Sequence, residues 1–252
     1  MQIKCKYNIE YKEVRRGWST QHLYCVSGKE YPSVSAILNL LDDGKSGGLM
    51  GWATKLAVNN LADAFKKGEL NFENIDEAIK IARKRPQDTR DEACDIGTQC
   101  HNAIDGMIKG EKNYYNYLID EKAKNSFNLF WDWFSQNNLT FISGDMPVVS
   151  VKYGFGGRLD AIAEDKKGNV ILLDWKTSNH INKGYAYQVA GYSIALQESC
   201  GIKATRAFVV RFGKEDIIVE EREINLKYAK KAFLALVKLY YENKKELFKE
   251  VI

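Results

Sequence analysis

The sequence predicts an α/β (α+β) fold in which a central sheet is flanked by helices and preceded by a mostly helical N-terminal region. Three observations carry that expectation. Apolar residues recur at helical spacing through most of residues 49–136 and change to strand-like spacing from about residue 139. The stretch "NVILLDWKT" is apolar on both of its faces, as a central strand covered on two sides must be. One helical stretch, "YAYQVAGYSIALQES", then stands between it and two further strand-like runs.

Taken in order, the chain opens with β-like alternation in "IKCKYNIEY" and a second candidate strand at "QHLYCV". In "YPSVSAILNLL", Ser33 can cap a short helix that carries Val34, Ile37, Leu38 and Leu41 at helical spacing. "DDGKSGG" reads as a flexible loop. Helical patterns follow at about 49–67, 74–84, 90–109 and 116–136. "TFIS", "PVVSVKY", "GGRLDAIAED" and "GNVILLDWKT" read as successive strands, with glycines or "DKKGN" at the turns. "RAFVVRF" and "DIIVEERE" add two more, and an amphipathic helix over about 225–249 completes the pattern. Its stripe of Ala229, Phe233, Leu236 and Tyr240 predicts packing on the sheet, and its interleaved lysines and glutamates predict a solvated face. The change of period divides residues 1–138, helical with a short β-hairpin, from 139–252, rich in strands. No flexible segment marks that boundary, which predicts one compact domain.

Composition narrows the class. With 252 residues the chain can bury a substantial core, and 45% hydrophobic with 28% charged residues is ordinary for a globular enzyme. A net charge of +4 permits an anionic partner without demanding one. The five cysteines (Cys5, Cys25, Cys94, Cys100, Cys200) are odd in number, dispersed and without a CxxC pair. With no signal peptide in view, they predict free thiols in a reducing, cytoplasmic setting and give no zinc or iron–sulfur site. No apolar run approaches the roughly 20 residues of a membrane span.

Against this background a few charges stand out. The strand period puts Val170, Leu172, Asp174 and Lys176 on one face of "NVILLDWKT" and Ile171, Leu173 and Trp175 on the other. Asp160 interrupts the preceding strand in the same way, with Arg158 and Ile162 on its face. The two aspartates lie fourteen positions apart across the turn "EDKKGN", so an antiparallel hairpin brings them together. Taken singly, such residues are a structural ion pair at a sheet edge. Taken together, two carboxylates at a strand end suit Mg²⁺, a hard cation that takes oxygen ligands and keeps several waters. An adjacent lysine then serves to orient water or to neutralise phosphate charge.

The pattern Gly157-x-x-Asp160 followed by Asp174-x-Lys176-Thr177 resembles the core of the PD-(D/E)xK nuclease superfamily. Downstream, "YQVAGYSIAL" resembles the Gln-x-x-x-Tyr helix of its RecB-like exonuclease branch, with Gln188 and Tyr192 on one helix face. Upstream, "DIGTQCHNAID" resembles the branch's Gly-x-x-x-His helix, in which Gly97, His101 and Asp105 share a face. The chain departs from the branch in two respects. The glutamate that many members carry ahead of the Gly-x-x-Asp strand has its nearest counterpart here in Asp145, and only Cys200 follows residue 100, so the iron–sulfur cluster of some members cannot be built.

The resemblance implies a restriction-endonuclease-like core with a mixed sheet, and Mg²⁺- or Mn²⁺-dependent hydrolysis of DNA phosphodiesters at ends or on single strands. It implies metal held by His101, Asp160, Asp174 and the backbone carbonyl of Trp175, with Asp145 as a further candidate. Asp160, Asp174 and Lys176 are the implied catalytic residues. Gln188, Tyr192, Arg158 and Thr177 are the implied substrate contacts. DNA is the implied partner, in recombination, repair or phage DNA metabolism within a bacterial or phage-infected cell. A structure-selective endonuclease and a non-catalytic nucleic-acid-binding module on the same fold are the alternatives.

Overall fold

The computed structural model describes residues 3–16, 19–41, 45–71 and 73–245. Two sheets form: strands β1 (Glu10–Arg16), β2 (Ser19–Val26) and β3 (Lys29–Pro32) make a small antiparallel one. Strands β4 (Thr140–Ser150), β5 (Phe155–Glu164), β6 (Val170–Lys176), β7 (Arg206–Phe212) and β8 (Val219–Glu223) make a mixed one in the order β4-β5-β6-β7-β8. The helices are α1 (Val34–Leu38), α2 (Lys45–Lys66), α3 (Ile75–Ile108), α4 (Glu121–Asn137), α5 (Lys183–Cys200) and α6 (Leu226–Glu242). The predicted class, a mixed sheet flanked by helices and preceded by helical segments, is the one observed.

The chain packs as two units. One comprises Met1–Leu40 with Gln99–Ile252 and contains both sheets; the other, Leu41–Thr98, contains α2 and the first part of α3. Among the described residues, no helix is long and apolar enough to cross a membrane.

Within the larger unit, β6 explains the architecture. Five of its seven residues are buried, in agreement with an apolar sequence on both faces. It pairs antiparallel with β5 and parallel with β7, and α5 makes the connection that a parallel pair requires. On one face Leu172 joins Leu159, Ile162 and Val209 against Val189, Ala190 and Leu196 of α5 and Phe233 of α6. On the other, Trp175 meets Phe130 and Trp133 of α4 at ring-centroid distances of 5.4 and 5.6 Å. Edge-to-face contacts of this kind add about 0.5–1.5 kcal/mol each beyond the area they bury.

Local details bear out some of the predicted elements and correct others. Ser33 caps α1 as expected, its hydroxyl accepting from the Ala36 N–H at 3.1 Å. "TFIS" and the first four residues of "PVVSVKY" belong to one strand, β4, irregular between Phe141 and Ser143 and carrying Asp145 at φ +37°, while residues 151–153 enter the turn to β5. The two helices expected over 74–84 and 90–109 are one, since α3 runs through Pro86. The proline removes one intrahelical hydrogen bond, and its neighbours Ala82, Arg83, Lys84, Arg85 and Gln87 are good helix formers that carry the helix across. Of the loop expected at "DDGKSGG", residues 42–44 lie outside the described residues, while Lys45 already begins α2. The predicted extension of the last helix over 246–249 also lies outside them, and α6 ends at Glu242.

The expectation of five free thiols is overturned. Cys5 and Cys200 are joined by a disulfide across 195 positions, leaving Cys25, Cys94 and Cys100 free. The first expected strand is shortened for the same reason: residues 3–9 lie along the end of α5, where the Lys6 N–H donates to the Ser199 carbonyl at 2.6 Å, and β1 begins only at Glu10. Thiol titration of the denatured, unreduced protein is expected to find three reactive cysteines, rising to five after reduction. Cys5→Ser is expected to cost about 2–5 kcal/mol in denaturant unfolding. Five thiols without reduction would contradict the pairing.

Candidate active site

The site is built at the end of β6. Leu172, Asp174 and Lys176 face the side covered by α5, and the apolar run brings the Asp174 carboxylate into the protein, where it is 1% exposed. The Lys176 ammonium lies 2.6 Å from Asp174 Oδ2, with 15% of its own side chain exposed. Asp174 Oδ1 has no hydrogen-bond partner, so the contact of Oδ2 with Lys176 is the carboxylate's main compensation for lost water.

Asp160 comes from the neighbouring strand. Ile162 pairs with Leu172 in the β5–β6 ladder, and two further steps along that register set Asp160 across from Asp174. The Trp175 N–H donates to Asp160 Oδ2 at 2.8 Å, while the other carboxylate oxygen lies 3.8 Å from His101 Nδ1. His101 reaches the site from α3, whose Cys100, Ala103 and Ile104 are buried, and its ring is hydrogen-bonded to the Trp175 backbone. One peptide segment, 174–176, thus supplies an acid, a main-chain contact to both Asp160 and His101, and a cation.

Burial dominates the electrostatics. It pushes the Asp174 carboxyl up to about 6, against the pull of Lys176 and with the help of nearby Asp160. Asp160 is raised by the same cause, opposed by Lys176 and by the Trp175 N–H. Burial pulls Lys176 down, but Asp174 and Asp160 together outweigh it and hold the ammonium above its usual range. Desolvation, then the neighbouring Lys176, lowers the His101 imidazole to about 4, so it is neutral near pH 7 with a lone pair to offer.

Among the described residues, no three His, Cys, Asp or Glu side chains are gathered as a ready metal cage. The donors at hand are two carboxylates, a neutral imidazole and a main-chain carbonyl. Mg²⁺ binds through one or two carboxylates and keeps the rest of its shell as water, so this donor set fits it. The Oδ1 of buried Asp174, which has no partner, is what such a cation would satisfy.

The other predicted residues are distributed around this centre. Gln188 Nε2 donates to the Tyr192 hydroxyl at 2.8 Å, and Tyr192 is 6% exposed, behind the two aspartates. A Cβ on Gly157 would lie 2.4 Å from the Tyr192 ring, so the glycine of the Gly-x-x-Asp pattern makes room for that ring. Thr177 is buried. Arg158 is exposed and ion-paired with Asp145, which therefore faces a cation of its own while remaining close enough to raise Asp160.

One participant escaped the sequence reading, and a second, Asp105, was noted there only as sharing a helix face with His101. Arg211, paired in register with Lys176, is 5% exposed; its Nε donates to the Ser178 carbonyl at 2.5 Å and its Nη2 to Asp216 at 2.8 Å. It fixes the turn that follows Lys176, and its signal was an arginine inside the apolar run "FVVRF". Asp105, one turn beyond His101, pairs with Lys109 at 2.5 Å, leaves Oδ1 buried without a partner, and also raises Asp160.

The sequence matches no protein-family model and no curated protein. Among solved structures, the chain is similar to SSO0001 over 61% of its length and 76% of that chain, at 15% identity and a TM-score of 0.34. It is similar to the "Putative exonuclease" of Eubacterium rectale over 62% of its length and 77% of that chain, at 12% identity and a TM-score of 0.35.

The site generates a stability prediction that needs no substrate. Lys176→Met strands two buried carboxylates without their cation and is expected to cost about 3 kcal/mol or more in metal-free buffer near neutral pH. Adding Asp174→Asn to it should recover at least half of that loss in chemical denaturation. Equal stability of the single and double variants would show that the two residues are not coupled.

Proposed function

We propose that this chain is a divalent-metal-dependent nuclease that hydrolyses DNA phosphodiesters, as the RecB-like branch of the PD-(D/E)xK nucleases does. Within that class we infer an exonuclease acting on DNA ends or single strands. The observation that carries the reading is the convergence of Asp160, Asp174, Lys176 and neutral His101 on the Trp175 backbone at one strand end. Buried charges are costly, and a fold that keeps two acids and a lysine together there has a use for them.

His101, Asp160, Asp174 and the Trp175 carbonyl would hold Mg²⁺ or Mn²⁺. When bound, such a cation supplies Lewis-acid stabilisation of phosphoryl charge and a water of lowered pKa. Lys176, kept protonated by both carboxylates, donates hydrogen bonds to the attacking water or to a phosphoryl oxygen and neutralises developing charge, rather than taking up a proton. Tyr192, locked by Gln188 and seated on Gly157, lies behind the aspartates as part of the wall of the site. Arg158, on the exposed side, offers a planar cation to the phosphate backbone.

A direct assay separates the readings. End-labelled linear DNA and covalently closed circles are incubated with Mg²⁺, Mn²⁺ or EDTA. Loss of linear DNA alone, abolished by EDTA and lowered at least about 10³-fold by Asp174→Ala, is expected. Cutting of circles would assign an endonuclease instead. Intact binding without metal-dependent degradation of any substrate would favour the non-catalytic module.

A further inference from the structure

The small sheet places an aromatic surface beside the proposed site. In the β1–β2 register Tyr11 pairs with Tyr24 and Glu13 with His22, so all four project from one face. The lower part of that face is used in packing: Tyr24 is buried with Val26, Tyr31 and Val149, and its stem lies where a side chain on Gly156 of β5 would have to go. The upper part stands clear. Tyr11 is 39% exposed and His22 has 44% of its side chain open; their rings are nearly coplanar, 13° apart with centroids at 5.8 Å, and meet edge to edge where the Tyr11 hydroxyl contacts His22 Nδ1. The Arg158 guanidinium lies 5.6 Å from the centre of the Tyr11 ring. Arg158 is two residues before Asp160 on β5 and pairs with Asp145, which is close enough to raise Asp160, so the aromatic pair borders the acid pair.

From this arrangement we infer that Tyr11 and His22, backed by Arg158, form a stacking shelf for an unpaired nucleobase next to the phosphate that a cation held by Asp160 and Asp174 would take. The inference rests on the nuclease reading for the identity of the ligand. Glu13, which accepts from the Tyr11 hydroxyl at 2.6 Å, puts a negative charge at the edge of the shelf and disfavours a phosphate there. Ring faces and a guanidinium plane take any base, since every base has a π-face, and read no sequence. The shelf therefore grips the strand without choosing among bases, and the phosphate contacts fall to the cations nearer the acids.

The test uses the full chain with Ca²⁺ as the probe cation and short single-stranded oligonucleotides carrying 2-aminopurine, whose fluorescence falls on stacking. The expected result is quenching on binding, and about ten-fold weaker affinity for Tyr11→Ala. Tyr11→Phe, which keeps the ring and loses the hydroxyl, should restore binding and quenching. An oligonucleotide with an abasic site at the quenched position should bind the parent and Tyr11→Ala equally. Circular dichroism and thermal melting check that each variant is folded, and His22→Ala provides a second probe of the shelf if Tyr11→Ala does not fold. Unchanged affinity in the folded variants, no quenching, or no binding by the parent would overturn the shelf. Metal-dependent cutting is read separately, so DNA degradation with an inert Tyr11 removes the shelf alone, and Tyr11-dependent binding without degradation removes the nuclease alone.

Discussion

The contact between the Asp174 carboxylate and the Lys176 ammonium is the constraint around which the larger unit is arranged. Both groups stand at the end of a strand that is buried on two faces, where an unpaired charge is expensive and a paired one must be held in place. The strand period puts them side by side. Everything that fixes β6, from the antiparallel ladder with β5 to the parallel ladder with β7 and the aromatic layer under Trp175, also fixes that pair. Asp160 and His101 complete the arrangement through the Trp175 backbone, so one peptide unit ties strand, neighbouring strand and helix together.

The support around this centre consists of close contacts that tolerate little change. Gly157 admits the Tyr192 ring, Gly191 admits Phe233, and Gly156 admits Tyr24. The first two seat α5 and α6, and the third seats the small sheet. The Arg211 guanidinium bridges the Ser178 carbonyl and Asp216, and Asn125 of α4 donates to the Gly213 and Asp216 carbonyls at 3.1 and 2.9 Å. A turn held from two directions restrains the backbone that follows Lys176.

Much of this was legible in the residues. A strand apolar on both faces that ends in Asp174 and Lys176, a second acid fourteen positions earlier, and Gln188 with Tyr192 at i, i+4 are local patterns with fixed periods. Such patterns survive folding because they are the reason for it. Less legible were contacts between segments far apart in sequence. Cys5 and Cys200 read as free thiols, and nothing in their own segments singled out Tyr11, His22 or Arg211. The continuity of α3 through Pro86 was missed for a different reason, because a proline's local cost is small beside the propensities of the helix around it.

The sequence by itself determined which residues are apolar on which face, and hence the class of fold, the burial of β6, the place of Asp160 within β5 and that of Asp174 and Lys176 at the end of β6. Those follow from the periods of helices and strands and from the cost of leaving apolar surface in water. Only the tertiary structure decided which partners meet. It brought His101 to Asp160, gave Asp145 to Arg158, paired Cys5 with Cys200, and set Tyr11 beside the site. Contacts between distant segments depend on register, crossing and packing of whole elements, and no short stretch of residues contains that information.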